Sequence, residues 1–237
     1  MNIFTYFIGS IYIVRSIFRF SNYYSKHIQT HYLPNISDIK LEKIDECLYS
    51  SIHGTLSSVC AALSLTNSNI IKGEYQTDNE MQYLTASICL SYFIIDLIRC
   101  LINQKYLFVI HHVSSINLLT LTLHSYYTNQ NKGFYAMYLI FLLESNTILL
   151  NIGYLLKEFK FHYSITCTSW IIHLMFFVIF RLILIPIILG IYYYNEPINM
   201  KNLIQLPNFI LILSGSVYWS YRQMIGINKY LKQNSVI

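Results

Sequence analysis

The sequence contains few charged residues. Asp, Glu, Lys and Arg make up 11% of its 237 residues, whereas a soluble globular domain usually contains about 25%. Hydrophobic residues make up 54%, and they fall into blocks of roughly 20, each long enough to cross about 30 Å of hydrocarbon. Because so few charges cannot cover a water-exposed surface, the composition excludes a soluble globular protein. It predicts one all-α membrane domain that fills the chain.

The sequence also lacks paired cysteine motifs. Its five cysteines form no CxxC pair and mostly fall inside apolar segments, which favours free thiols over a disulfide framework or a zinc site. The histidines inside these segments show no HxxxH or HExxH spacing, so we predict no metal site. The net charge of +5 comes with no DNA-reading motif. Nucleic acid is therefore not an expected partner.

Seven apolar segments predict seven transmembrane helices. The first lacks a basic n-region and an A-x-A-like cleavage site, so it is expected to be a span and not a cleaved signal peptide. Residues 25–47 form the one sizeable polar connection. Pro186 predicts a kink inside the sixth span, and Pro197 and Pro207 are further candidate helix breakers. The spans are predicted near residues 2–24, 48–68, 82–103, 106–127, 134–156, 166–194 and 203–225.

Basic residues are distributed unequally between the two sides of these spans. The ends and connections after spans one, three and five, with the C-terminal tail, hold twelve Lys and Arg residues, whereas the opposite connections hold only Lys72, Lys132 and Lys201. By the positive-inside rule, this predicts a luminal N-terminus and a cytosolic C-terminus. The sequon at Asn35 then lies in the cytosol, so a glycan there would contradict this orientation.

Polar stripes run along four of the predicted spans. Ionisable side chains inside a membrane are costly, and by default they face a bundle interior and mark functional sites. We therefore expect the four polar faces to meet in a common interior. At about 100° per residue, the stripes contain His111, Ser114, Ser115, Thr122 and Ser125; Glu144, Thr147 and Asn151; Asp96 and Arg99; and His173, Phe177 and Arg181.

The adjacent histidines His111 and His112 are the strongest candidates for chemistry. They lie about one to two turns into span four, on the predicted cytosolic side. A neutral imidazole can accept a proton from an attacking amine or hydroxyl, or act as a nucleophile, and a carboxylate such as Glu144 or Asp96 can orient it. The predicted catalytic residues are His111, His112 and Glu144, with supporting or substrate-binding roles for Asp96, His53, Asn151, His173 and Arg181.

Structural roles are the alternative for several of these residues. His53 can be a satisfied packing histidine, and Asp96 with Arg99 can be a structural i,i+3 pair. Arg181 can hold a helix contact or extend toward the membrane surface. For the histidine pair, the alternative is structural hydrogen bonding. The many Tyr and Phe residues are expected mostly at lipid-facing or interfacial positions.

Five short motifs follow one another in order along the chain. In sequence letters they are SIHG at 51–54, SYFIIDL at 91–97, FVIHH at 108–112, LES at 143–145 followed by Asn151, and FR at 180–181 followed by Pro186. In this order and spacing, from about residue 45 to 232, the chain resembles the TLC (TRAM/LAG/CLN) domain family. The FVIHH segment is similar to the histidine pair with which that family opens a span.

The resemblance implies six spans around a central chamber, with one additional N-terminal span. It divides the chain into the first span with its connection (1–44), a TLC-like domain (45–232) and a short cytosolic tail (233–237). In ceramide synthases of this family, the histidine pair is needed for N-acylation of a sphingoid base by acyl-CoA. His111 and His112 would be those residues, and acyl-CoA would be a co-substrate.

The chain also differs from ceramide synthases. Glu144-Ser145-Asn146 stands where they carry His-Asp and a further Asp, so the chain looks more like the small TLC-domain proteins linked to membrane lipid composition. We expect a role in lipid metabolism or homeostasis, as a lipid acyltransferase with no bound cofactor. Membrane lipids and a long-chain acyl donor are the expected partners, and a homodimer is left open. Endoplasmic reticulum residence follows from the resemblance alone.

Three other functions are left open. The first is a non-catalytic lipid-binding protein or regulator of membrane lipid composition. The second is a translocation or trafficking accessory. The third is a proton-coupled transporter, because buried histidines and carboxylates also form proton relays; the lack of an internal inverted repeat counts against it.

Overall fold

The computed structural model describes residues 3–66, 79–126, 130–195 and 200–234, which are helical apart from short turns. No strand occurs in these ranges. The sixth rod is continuous from α6 through a π-helical segment into α7. The elements are α1 (Ile3–His31), α2 (Asp38–Ser64), α3 (Asn79–Ile102), α4 (Tyr106–Tyr126), α5 (Gln130–Glu158), α6 (Tyr163–Phe177), the π-helical segment Val178–Leu184, α7 (Ile185–Asn195) and α8 (Met200–Asn234).

Six of the seven helical rods in the described ranges form a ring. Around the ring, α2 packs on α3, α3 on α4, α4 on α8, α8 on α6, α6 on α5, and α5 again on α2. α5 also contacts α4 across the ring. α1 lies outside the ring, against α2 and α3. This is the arrangement that the resemblance implied: six rods around a centre and one additional N-terminal rod.

The outer faces of the bundle are apolar. Within the described ranges, three segments are long and apolar enough to cross a membrane, and the apolar stretch Tyr106–Thr120 of α4 is shorter. Ile98 and Ile110 are exposed on the outside, while Ser57 and Ser91 are buried inside. Large apolar side chains outside and small polar side chains inside suit lipid as the surrounding medium. The protein is therefore an all-α membrane protein, as predicted.

The connection between α1 and α2 is shorter than predicted. α1 continues to His31 and α2 begins at Asp38, so only residues 32–37 of the predicted connection 25–47 are non-helical. The polar residues here belong to the ends of α1 and α2, and some of them contact neighbouring helices. Lys40 Nζ lies 3.0 Å from Glu158 Oε2 of α5, for example.

Charged side chains collect at one end of the bundle, which we call the charged end. Lys40 and Glu158 join α2 to α5 there, and Lys105, just before α4, pairs with Glu46 of α2. The beginnings of α2, α4 and α6 and the ends of α1, α3, α5 and α8 lie at this end. It is the side to which the sequence assigned most of the basic residues. Lys72, assigned to the other side, lies outside the described residues.

Two prolines have different effects on their helices. Pro186 is the second residue of α7, directly after the π-helical segment. Because proline lacks an N–H and crowds the preceding turn, an altered hydrogen-bond pattern just before it accommodates the ring. Pro207 lies inside α8, which continues through it, so the prediction that it breaks a helix was wrong. Pro197 lies outside the described residues.

α5 and α6 approach closely at Gly153. A Cβ atom at this position would lie 2.2 Å from Cδ1 and 2.5 Å from Nε1 of Trp170, whose ring is held against Tyr230 of α8. Gly153→Ala is therefore expected to push α5 and α6 apart and to reduce the free energy of unfolding by the roughly 1–3 kcal/mol typical of overpacking. The effect is measured as a lower melting temperature in detergent. Gly226→Ala is the matched control, because nothing lies within 4 Å of its Cβ position. Equal melting temperatures for the two variants would show that the close approach at Gly153 does not contribute to stability.

Candidate functional site

A cavity of about 80 Å³ lies inside the ring, and we call it the chamber. α3, α4, α5, the π-helical segment, α7 and α8 all contribute to its wall. The polar part of the wall consists of His111, Ser115, Glu144 and Arg181. The rest is mostly apolar and includes Phe93, Leu119, Leu139, Ile140, Ile185, Phe209, Ile212 and Leu213.

His111 contributes an imidazole ring to the chamber wall. Its ring meets Trp219 of α8 edge-on, with centroids 5.3 Å apart, and it meets Phe93 of α3 in the same way at 6.2 Å. The buried Nδ1 has no hydrogen-bond partner among the described residues. The aromatic contacts hold the plane of the ring, and none of them uses this nitrogen as a hydrogen-bond partner.

His112 is paired with a carboxylate. It is 4% exposed, and its Nε2 lies 2.8 Å from Oδ2 of Asp96 on α3. This carboxylate fixes the orientation of the ring and favours a proton on Nε2. Adjacent residues on a helix point about 100° apart. This explains why His111 reaches the chamber while His112 faces α3.

A series of polar contacts continues from Asp96 to α1. Arg99 lies 3.8 Å from Asp96 and 3.5 Å from Asp45 of α2, and Ser21 of α1 donates a hydrogen bond of 2.7 Å to Asp45. Burial raises the pKa of Asp45, which lies ahead of the predicted second span, although the Ser21 hydrogen bond and the charge of Arg99 act in the opposite direction. The predicted Asp96–Arg99 pair is present, but the shorter contact of Asp96 is to His112.

Glu144 lies beside His53. It is 8% exposed, and its Oε2 is 3.6 Å from Nε2 of His53. The His53 ring stacks on Tyr92 with centroids 3.6 Å apart and contacts the hydroxyl of Ser57. A Cβ at Gly54 would lie only 3.0 Å from the backbone oxygen of Glu144. The absence of a side chain at Gly54 thus lets α2 approach α5 and sets the position of Glu144.

Arg181 occupies the part of the wall formed by the π-helical segment. It is 8% exposed, and one of its terminal nitrogens donates a hydrogen bond of 2.9 Å to the backbone oxygen of Leu143. Its guanidinium lies over the ring of Phe177, 4.8 Å from the centroid. Its Nε has no partner among the described residues.

A family model described as the TLC domain matches residues 43–225. This range covers most of the chain and contains the histidine pair, Asp96, Glu144 and Arg181. The chain belongs to the TLC-domain family. No curated protein and no solved structure gives a significant match to it. As a TLC-domain protein with apolar helices, it is an integral membrane protein of lipid metabolism or sensing. α1 precedes the matched range.

The TLC domain decides between two carboxylates for the histidine pair. Glu144 and Asp96 were both candidates to orient it. In the structure Asp96 is the partner of His112, and the contact of Glu144 is with His53. Glu144 still shares the chamber wall with His111. The predicted residues therefore form two histidine–carboxylate pairs, and of their four members only Glu144 lines the cavity.

Five predicted site residues lie outside the chamber lining of this TLC-domain protein: His53, Asp96 and His112, which form the pairs above, and Asn151 and His173. Asn151 donates a hydrogen bond of 2.6 Å to Ser50 and so links α5 to α2. His173 accepts a hydrogen bond from the side-chain amide of Gln223 of α8. Both contacts join neighbouring helices of the ring, so these residues hold the walls together. The side chains of Thr122 and Ser125 lie outside the described residues.

Sequence reasoning missed two aromatic residues of the site. Trp219 contacts His111, and Tyr92 stacks on His53. Because aromatic side chains were assigned as a class to lipid-facing or interfacial positions, neither residue was recognised as part of the site. One signal was available for Tyr92, because it lies inside the SYFIIDL motif, four residues before Asp96.

One group of side chains in the TLC domain has the composition of a metal site. Ligand atoms of Asp96, Cys100 and His112 all lie within 4.8 Å of one another. The 2.8 Å separation of Asp96 and His112 is that of a direct hydrogen bond. Arg99 also places a positive charge 3.8 Å from the same carboxylate, which opposes a cation. The group is thus better described as a hydrogen-bonded pair, and the absence of a metal site stays a prediction.

Proposed function

We propose that this protein is a lipid acyltransferase whose chemistry takes place at His111. The observation that carries the proposal is the position of His111: a buried imidazole nitrogen without a partner, in the wall of a mostly apolar chamber. An apolar wall suits an acyl chain, and an unpaired imidazole nitrogen suits proton transfer. The expected donor is acyl-CoA or a phospholipid.

With acyl-CoA as donor, the proposed reaction transfers the acyl group from the thioester sulfur to the acceptor. The hydroxyl or amine of the acceptor attacks the thioester carbonyl, and His111 takes its proton as the new C–O or C–N bond forms. The C–S bond then breaks, and His111 passes the proton to the departing thiolate, so the histidine returns to its neutral form. Glu144 holds the acceptor group in the chamber. His112 and Asp96 position the first turns of α4, and with them His111.

The proposed orientation places the charged end in the cytosol, with the N-terminus luminal, in the endoplasmic reticulum. The twelve-to-three distribution of basic residues supports it. His111 is six residues beyond Lys105 at that end, or about 9 Å along the helix. A thioester delivered from the cytosol would therefore have a short path to the histidine.

A non-catalytic lipid-binding or lipid-sensing role is the second candidate. The observation in its favour is that both carboxylates of the site already face histidines: Asp96 faces His112, and Glu144 faces His53. Such pairs also serve to hold helices together. In this case the chamber would hold an acyl chain without converting it.

Product analysis of the purified protein in nanodiscs separates the two functions. The protein is supplied with acyl-CoA and a panel of amine and hydroxyl acceptors, and lipid products are identified by mass spectrometry. Product that depends on His111 supports the acyltransferase. Absence of product, with equal amounts of co-purified lipid in wild type and His111→Ala, supports the binding role.

A further inference from the structure

The chamber contains a buried positive charge without a carboxylate in contact. Arg181 is 8% exposed, and a guanidinium remains protonated in proteins. Among the described residues, no Asp or Glu oxygen lies within the 4.0 Å of an ion pair from Arg181, whereas Arg99 has two such partners. Its Nε also lacks a hydrogen-bond acceptor there. A buried charge without a counterion is energetically costly, and a bound anion would neutralise it.

The neighbouring groups compensate this charge only in part. The backbone oxygen of Leu143 accepts one hydrogen bond, and the face of Phe177 lies 4.8 Å away. Glu144 shares the chamber wall, but its carboxylate approaches His53 at 3.6 Å. The Nε of the guanidinium therefore remains without a hydrogen-bond partner among the described residues.

The backbone at Arg181 is irregular. Arg181 is the fourth residue of the π-helical segment Val178–Leu184, and π-helical turns within α-helices are frequent at functional sites. The partnerless Nε and the irregular backbone are independent observations. Both indicate that this position is built to hold a ligand.

The rest of the wall defines the ligand. Leu139, Ile140, Ile185 and Leu213 give the chamber an apolar lining around its polar groups. A ligand with one negative charge and a hydrocarbon chain matches both parts, and a single guanidinium neutralises a carboxylate better than a doubly charged phosphate. We propose that the chamber binds an unesterified fatty acid, with the carboxylate on Arg181. Fatty-acid binding does not depend on the proposed acyl transfer. The carboxylate that Arg181 would bind is absent from the acyl group of a thioester donor.

Competition binding tests the proposal. Wild-type protein in phosphatidylcholine nanodiscs is titrated with radiolabelled oleate, and unlabelled oleate or methyl oleate is used to displace it. One charge-assisted hydrogen bond contributes about tenfold or more to affinity. Methyl oleate is therefore expected to compete at least about tenfold more weakly than oleate. In Arg181→Gln, oleate affinity is expected to fall by a similar factor, and the two ligands should bind alike.

Two further variants make the test specific. Arg181→Lys keeps a charge and should keep the preference for oleate, and Arg222→Gln removes an exposed arginine of α8 and should bind as wild type. The same wild-type nanodiscs are assayed for acyl transfer, so a preference for oleate without product, or product without the preference, distinguishes failure of one proposal from failure of the other. Equal competition by the two ligands in wild type overturns fatty-acid binding at Arg181. A retained preference in Arg181→Gln does so as well. Should Arg181→Gln fail to fold, the wild-type comparison alone decides.

Discussion

His111→Ala is expected to reduce acyl transfer by at least about 10²-fold, the usual contribution of a positioned general base. The variant removes the imidazole whose Nδ1 is unpaired at the chamber wall, and it leaves the Asp96–His112 pair intact. The fold should survive, because the ring of His111 contacts aromatic neighbours and forms no ion pair in the described chain. Initial rates of product formation in nanodiscs measure the effect.

His173→Ala is the matched control for this variant. His173 is also a buried histidine, but it contacts Gln223 of α8 and lies outside the chamber lining. Its removal should lower thermal stability and leave the rate per folded molecule near that of wild type. Equal losses of rate in the two variants would mean that His111 acts only through packing.

Asp96→Asn is expected to have the second-largest effect. The amide replaces the carboxylate that lies 2.8 Å from Nε2 of His112 with a neutral group, and it removes one of the two carboxylates beside Arg99. Asp96 is partly buried, so the loss in stability should be about 1–3 kcal/mol. Because His112 positions α4 and not the reacting atoms, acyl transfer should fall by about tenfold, less than in His111→Ala. Melting temperature and initial rate together measure both effects.

Asp38→Asn provides the comparison for Asp96→Asn. Asp38 is an exposed carboxylate in the first turn of α2, and its replacement should change neither stability nor rate appreciably. A wild-type rate and melting temperature in Asp96→Asn would show that the contact between α3 and α4 does not position His111.

Physical patterns in the sequence were sufficient to predict the helices, whereas the arrangement of six rods around a centre was implied by the family resemblance. The apolar segment at 106–127 is long and uninterrupted, and α4 occupies Tyr106–Tyr126. Residues 25–47 were harder, because polar residues between spans fit a loop as well as the ends of two helices. Only contacts between helices, such as Lys40 with Glu158, show that the helices continue into this region.

For the candidate site, the sequence predicted which residues share a helix face but not which residues contact each other between helices. Spacing of three or four residues places side chains on one face of one helix, and this identified the stripe of His111 and the face of Glu144. This spacing does not determine how neighbouring helices are oriented about their axes relative to each other. The pairing of Asp96 with His112 therefore emerged only from the packing of α3 on α4. For the same reason, Asn151 appeared to be a site residue although it contacts Ser50 instead.

Photo-crosslinking with a diazirine-labelled fatty acyl lipid tests most directly whether the chamber takes an acyl chain beside His111. The protein is irradiated in nanodiscs, and the modified residues are mapped by mass spectrometry with and without excess unlabelled lipid. Adducts at wall residues such as Leu119, Ile140 and Leu213, lost under competition, are the expected result. Adducts confined to outward-facing residues such as Ile98 and Ile110, and unaffected by competition, would contradict a lipid-binding chamber.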